Sequence, residues 1–381
     1  MSKSNLTLIA TAAFGLEAVV KREVAALGYG DIKCFDGKVE FTPDDLPAAI
    51  ANANLWLRSA DRVLLKISEF PAVTFDELFE KTKALPWEQW IPPDGKFTVL
   101  GKSVRSGLFS VPDVQSIVKK AVVEKLKQKY NISWFAETGA EYTVQAAILK
   151  DIVTVTIDTT GQGQGLHKRG YREKSTQAPM KETMAAALID LARYSPKGSN
   201  APKPFLDPCC GSGTLPIEAA LIAKNIAPGL SRTFVSEQWS QVGKQIWKDV
   251  RAAAYAAIRT EGEPKIYASD IDPAAVELAK ANAELAGVDD CIAFEVRPVS
   301  KLTLPADRGI AIVNPPYGER LGKIKEVESL YRELGVIFNN TRWNVYILTP
   351  DEFFESAYKK KARAKRKLFN GMIKTDLYQY F

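Results

Sequence analysis

Three short stretches of this 381-residue chain combine residue types that could do chemistry. The first is Asp207-Pro208-Cys209-Cys210-Gly211-Ser212-Gly213-Thr214, set between the apolar Phe205-Leu206 and a helix pattern over 215–225. Glycines at a strand-to-helix turn let the backbone approach a nucleotide-like ligand closely. Asp207, Cys209, Gly211, Gly213 and Thr214 are therefore candidate contacts. The second stretch is Asp270-Ile271-Asp272, after a strand pattern at 265–269. A carboxylate there can accept hydrogen bonds from ribose hydroxyls, so Asp270 and its neighbour Ile271 join the ligand set, while Asp272 before Pro273 reads as a helix N-cap. Together the two imply an adenosine-containing cofactor, and NAD and S-adenosylmethionine both satisfy them. The third stretch is Asn314-Pro315-Pro316-Tyr317, after the short apolar strand 310–313. Pro315 and Pro316 stop the strand and stiffen the loop. The Asn314 side-chain oxygen and the Pro315 carbonyl can then accept both hydrogens of a planar NH2 group, with Tyr317 stacked on the ring that bears it.

Scarcity narrows the chemistry further. His167 is the single histidine, so a His-rich metal site is excluded and any Ser-His-Asp site would have to use it. The four cysteines (Cys34, Cys209, Cys210, Cys291) form no C-x-x-C pair. A reduced, cytoplasmic protein with no metal and no membrane association is the expectation, and a bound cofactor has to supply the reactive group. His167 is assigned to a linker or RNA contact rather than to catalysis.

The elements that must position these groups follow from periodicity. Over the first 70 residues the order is β-α-β-β-α-β, with Asp36-Gly37 as the hairpin signal, which is the ferredoxin-like pattern. A second α+β unit follows over 71–160: helix 75–83, strand 96–102, helix 114–130 and strands 141–149 and 152–158. Gly161-Gln-Gly-Gln-Gly165 reads as a flexible boundary, and 161–180 as a basic linker. From 181 to 381 strands and helices alternate, including a helical insertion at 244–258. This implies an α/β fold whose mainly parallel, doubly wound, Rossmann-like sheet carries ligands at the carboxyl ends of its strands.

Charge follows the same division. Residues 1–160 hold 19 Lys+Arg against 20 Asp+Glu, whereas 161–381 hold 32 against 25. The excess concentrates in His167-Lys168-Arg169-Gly170-Tyr171-Arg172 and in 359–367, the footprint of a polyanion partner. Lys168, Arg169, Arg172, Lys365 and Arg366 are the candidate phosphate contacts.

D-P-C-C-G-S-G-T, S-D-I-D-P and N-P-P-Y-G-E-R-L-G, with L-H-K-R-G-Y-R and A-P-M-K-E-T upstream, resemble the motifs of the RlmL-like group of class I S-adenosylmethionine-dependent methyltransferases, long labelled N6-adenine-specific DNA methylases. The resemblance implies an N-terminal ferredoxin-like plus THUMP RNA-binding module, S-adenosylmethionine as cofactor, and guanine N2 of 23S ribosomal RNA or a precursor particle as target. Two positions depart from the pattern. Cys209 stands where many class I enzymes have a glycine, and Pro298 stands near where relatives often carry an acid that accepts from the cofactor adenine. Alternatives are adenine N6 methylation of RNA or DNA, guanine N2 methylation of transfer RNA, a non-catalytic RNA-binding assembly factor and, outside the class, a nucleotide-binding oxidoreductase.

Overall fold

The computed structural model describes residues 6–172, 180–194, 203–260, 265–316, 321–371 and 373–381, with backbone only over 321–324. The chain folds as two compact units. One comprises residues up to Thr11, Lys21–Leu166 and Thr233–Ala252; the other comprises Ala12–Val20, His167–Arg232 and Ala253–Phe381.

The first unit is built on β1 (Thr7–Ala12), α1 (Glu17–Ala26, shared by both units), β2 (Lys33–Phe35), β3 (Lys38–Phe41), α2 (Leu46–Trp56), β4 (Ala60–Pro71), α3 (Phe75–Lys83), β5 (Lys96–Val104), α4 (Val111–Tyr130), β6 (Glu141–Leu149) and β7 (Ile152–Asp158). Local chemistry sets the helix starts. Asp45 and Thr74 cap α2 and α3 by accepting from Ala48 N and Glu77 N. Gly37, at φ +75°, turns the β2–β3 hairpin. The two expected αβ modules share one seven-stranded sheet, ordered β2-β3-β1-β4-β7-β6-β5. The join is β4, twelve residues long, whose Leu64–Pro71 part pairs with β7 from Leu64–Asp158 to Pro71–Ile152 across an irregularity between Lys66 and Ser68.

Two stretches differ from the sequence expectation. Gly161–Gly165, expected as a flexible boundary, is tied down: Gly161 N donates to Asp158, Gly161 O accepts from Arg62, and Leu166 N donates to Asp61 O. The helical insertion expected at 244–258 within the C-terminal domain is divided: Thr233–Ala252 belongs to the first unit, and the chain from Ala253 to the second. In the first unit Trp239 stacks on Tyr142 at 4.9 Å and donates to Glu141 O, and Ser236 Oγ donates to Thr159 O.

The second unit contains α5 (Glu182–Leu191), β8 (Phe205–Asp207), α6 (Thr214–Ala223), the end of α7 (Lys244–Ala256), β9 (Ile266–Asp270), α8 (Pro273–Leu285), β10 (Ile292–Val296), β11 (Ile310–Val313), α9 (Leu321–Phe338), β12 (Asn344–Thr349), α10 (Phe354–Tyr358), β13 (Ala364–Asn370) and β14 (Ile373–Tyr380). Its sheet runs β10-β9-β8-β11-β12-β14-β13, parallel from β10 to β12 and antiparallel on either side of β14. Alternate residues enter two different cores. Phe205, Ile310, Ile312 and Tyr346 pack in one with α5, α6 and α8, and Leu206, Ala311, Val313 and Val345 in the other with α9 and α10. Two covered faces make the sheet doubly wound. Leu16 and Val19, from the segment Ala12–Val20, belong to the first of these cores.

Candidate active site at the strand crossover

The chain leaves β8 toward β9 and β10 on one side, and β11 and β12 lie on the other, so β8 and β11 flank the point where the strand order reverses. In open α/β sheets ligands bind in the crevice beyond the carboxyl ends of the strands at that point. Asp207 ends β8, Asp270 ends the neighbouring β9, and Asn314 directly follows β11. The three stretches singled out in the sequence thus leave adjacent strands on one edge.

The glycine-rich turn is held by the strand beside it. Cys210 N donates to Ser269 O (2.9 Å), and Gly211 N donates to Asp270 Oδ2 (2.9 Å). Gly211 and Gly213 take φ +51° and +84°, which favours glycine. A Cβ on Gly213 would also come within 3.0 Å of the Ala279 Cβ, so this glycine permits α6 and α8 to approach. Among the described residues, nothing beyond its own chain neighbours lies within 4 Å of the position a Cβ would occupy on Gly211. Asn282, which no local signal marked, donates from α8 to Ser212 O (2.9 Å) and fixes the turn from below. Thr214 starts α6 and accepts from Arg172 Nη2 at 2.7 Å.

Asp207 is 1% exposed, with its Oδ1 accepting from Cys209 N at 3.1 Å. Burial pushes its carboxyl up to about 8, the Cys209 N–H opposes this, and the neighbouring charge of Asp270 adds to it. Burial likewise raises the Cys209 and Cys210 thiols, which keeps both neutral and unreactive. Asp270 is half-buried. Its two oxygens accept from Gly211 N and Asp272 N, and a carboxylate has further lone-pair sites for ribose hydroxyls. Asp272 caps α8 through Ala274 N, and Ile271 is 71% exposed. Asn314 is half-buried, Pro315 buried and Pro316 exposed; Tyr317 lies outside the described residues.

These groups fit S-adenosylmethionine. Open space beside Gly211 admits a ligand against the turn, Asp270 offers the ribose acceptor, and the buried Asp207 has the chemistry to take the cofactor's ammonium group. Pro298 begins a single 3-10 turn over Val299–Lys301. The acid of that strand, Glu295, is exposed and paired with Arg297, whose N–H donates to Asp270 O.

Asp207 leads to an expected pH dependence. Between about pH 4 and pH 8 the unfolded chain carries this carboxyl ionised while the folded chain holds it protonated, so its contribution to stability falls as pH rises through that window. A bound ammonium favours the ionised form. Cofactor binding near pH 7 should therefore release up to about one proton from this group, read by calorimetry in buffers of different protonation enthalpy. Asp207→Asn should remove that release; an unchanged release would mean another group titrates.

The basic residues divide into two sets. Lys168 is exposed, and its carbonyl accepts from Arg232. Arg169, expected to contact phosphate, is instead 3% exposed and pairs with Glu218, which is 0% exposed on α6. Tyr171 donates to the same carboxylate. Withdrawing Arg169 would strand a buried charge, so a structural role replaces the phosphate contact. Arg172 is also turned inward, toward Met180 O, Thr214 and Glu182 (3.4 Å). Arg366 donates to Gly15 O. Lys365 is exposed on the edge strand, where it pairs with Glu355 and lies 4.8 Å over the Tyr378 ring.

Comparison with known proteins agrees with this geometry. Residues 169–379 match the family described as the RMKL-like methyltransferase domain, residues 7–64 the RlmL ferredoxin-like domain, and residues 72–158 the THUMP domain. The chain is 53% identical over 378 residues to "Putative RNA methyltransferase YpsC" of Bacillus subtilis, covering 98% of this chain and 96% of the relative. It is 34% identical to "Ribosomal RNA large subunit methyltransferase K/L" of Shewanella baltica over 97% of its own length, but spans about half (52%) of that longer protein. A crystal structure described as SMU.472, "a putative methyltransferase complexed with SAH", superposes with a TM-score of 0.91 at 43% identity, covering 99% of this chain and 98% of that one. A glycine turn and two carboxylates at the strand crossover, on a chain matched almost end to end, have one account: the protein belongs to the RlmL-like family of S-adenosylmethionine-dependent methyltransferases with ferredoxin-like and THUMP domains.

Proposed function

We propose that the chain methylates an exocyclic amine of a nucleobase in RNA, and that the target is guanine N2 in 23S ribosomal RNA. The observation that carries the reading is the position of Asn314-Pro315-Pro316, directly after β11 and beside the strand that ends in Asp207. RNA as substrate is supported by the THUMP match and by the names of the relatives.

The amine of guanine or adenine is a weak nucleophile because its lone pair is delocalised into the ring. Hydrogen bonds from its two N–H groups to the Asn314 oxygen and the Pro315 carbonyl draw the nitrogen toward tetrahedral geometry and fix its direction of attack. Positioning therefore supplies most of the rate. S-adenosylmethionine supplies the electrophilic methyl group. No strong base is required before transfer, since the nitrogen becomes acidic only once alkylated. A base inside a helix cannot enter such a crevice, so the target is unpaired or flipped, with Tyr317 as its stacking partner. Tyr317→Phe should keep far more activity than Tyr317→Ala in a single-turnover assay; equal losses would point to the hydroxyl instead.

The deciding experiment incubates the protein with labelled S-adenosylmethionine and unmodified 23S ribosomal RNA, digests the product and identifies the nucleoside by mass spectrometry. N2-methylguanosine supports the proposal. N6-methyladenosine would replace guanine by adenine, and no incorporation into RNA would overturn the reading. Binding should weaken with salt, log K falling by about 0.7 per phosphate contact on a single strand per unit of log salt. A flat response would contradict a role for Lys168 and the 359–367 run.

A further inference from the structure

The stretches L-H-K-R-G-Y-R and A-P-M-K-E-T meet at the start of α6, within the second unit. Arg172, from the first, directs Nη2 at two acceptors: Met180 O (3.0 Å), from the second, and Thr214 Oγ1 (2.7 Å), on α6. Glu182 Oε1, also from the second, stands 3.4 Å from the same nitrogen. The Arg172 and Glu182 side chains are 13% and 6% exposed, so water screens the pair little.

These bonds decide what the Thr214 hydroxyl can do. A guanidinium carries N–H donors and no acceptor, and it stays protonated, so Thr214 Oγ1 has to accept. Met180 O and Thr214 Oγ1 take the two hydrogens of Nη2. The threonine's own hydrogen then points away from Arg172, and among the described residues it has no acceptor. Thr214 is 6% exposed, and a donor buried without an acceptor is unfavourable. The start of α6 adds to the donors. Gly213 has no side chain to cap the first turn, and Pro216 has no N–H. Among the described residues the Thr214 and Leu215 amides are the open donors there. Donors thus gather at one end of the turn 207–214, and the acceptor Asp207 stands at the other. The amino-acid part of the cofactor carries an ammonium and a carboxylate on one carbon. Asp207 suits the first, and a hydroxyl at the positive end of a helix suits the second.

We propose that Thr214 Oγ1 donates to the carboxylate of S-adenosylmethionine, and that Arg172 is the positioning residue that holds the hydroxyl in that direction. Without the arginine the hydroxyl hydrogen is free to turn toward the acceptors that Arg172 now occupies, Met180 O and Glu182. The proposal concerns the cofactor alone and holds whichever base is methylated.

The test measures, by calorimetry, the affinity of each protein for S-adenosylhomocysteine and for its decarboxylated analogue, which keeps the ammonium group and lacks the carboxylate. Thr214→Val and Arg172→Met should each bind S-adenosylhomocysteine roughly tenfold more weakly, the scale of one hydrogen bond to a charged group. Both should bind the analogue as wild type does. Thr214→Ser keeps the hydroxyl and should match wild type on both ligands. The double variant Arg172→Met, Thr214→Val should be no weaker than Thr214→Val alone, because the arginine acts through the hydroxyl. Arg172→Met is also made together with Glu182→Gln, so that a stranded carboxylate does not decide whether it folds; the same ratio of affinities is expected. That ratio, taken within one preparation, is independent of the folded fraction. Equal losses for the two ligands would reduce Arg172 to a support of the turn and overturn the proposal. Additive losses in the double variant would overturn it as well, by putting the guanidinium itself on the carboxylate.

Discussion

Asn314→Ala is expected to lower methyl transfer by about 10²–10³-fold, the scale on which a single preorganised hydrogen-bonding group acts in an active site, without changing affinity for S-adenosylhomocysteine. The residue follows β11, whereas the turn and carboxylates that fit the cofactor follow β8 and β9. Loss of the side-chain oxygen leaves one N–H of the target amine without its acceptor and the nitrogen nearer to planar. The effect should appear in the single-turnover rate at saturating RNA, since the interaction strengthens as the nitrogen changes geometry. Wild-type turnover by the purified variant would remove Asn314 from the mechanism.

Glu218→Ala is expected to cost about 3–5 kcal/mol of stability, because it leaves the Arg169 guanidinium buried without its counter-charge. Glu218 also accepts from Tyr171, so one substitution strips two partners. Burial pulls the Arg169 pKa down, and Glu218, with smaller help from Tyr171 and Glu182, raises it on balance above its ordinary value. Once Glu218 is gone the guanidinium still cannot escape by giving up its proton, since arginine stays protonated in proteins. Against a total of about 5–15 kcal/mol such a loss is large, and a urea melt would read it directly. The double variant Arg169→Met, Glu218→Leu should recover much of it, since the apolar pair fills similar volume with no charge to desolvate. A midpoint equal to wild type in Glu218→Ala would mean that the pair is solvated. Arg169→Ala that weakened RNA binding with stability intact would restore the phosphate contact.

What could be read in the sequence and what could not divide along chain separation. The β2–β3 hairpin around Asp36-Gly37, the strand ends at Asp207 and Val313 and the cap at Asp272 are local, and the residue types there announce the geometry. The pairing of β4 with β7 joins residues nearly ninety positions apart, and nothing near β4 foretells its partner. Arg169 looked like a phosphate ligand because the run around it is basic, yet the carboxylate that neutralises it stands 49 residues later. Asn282 supports Ser212 across 70 residues and resembles any other helix asparagine until the helix is packed. The helix pattern at 244–258 was plain, but an amphipathic face does not say which core it joins.

The traded segments, Ala12–Val20 and Thr233–Ala252, bear on how such a protein can be dissected. A gene cut after Gly165 would release a catalytic fragment missing Leu16 and Val19 from its interior. Its companion would leave Tyr142 without the overlying Trp239. Limited proteolysis or truncation at the apparent linker should therefore yield fragments that are insoluble alone, and activity should return only when both halves are made together.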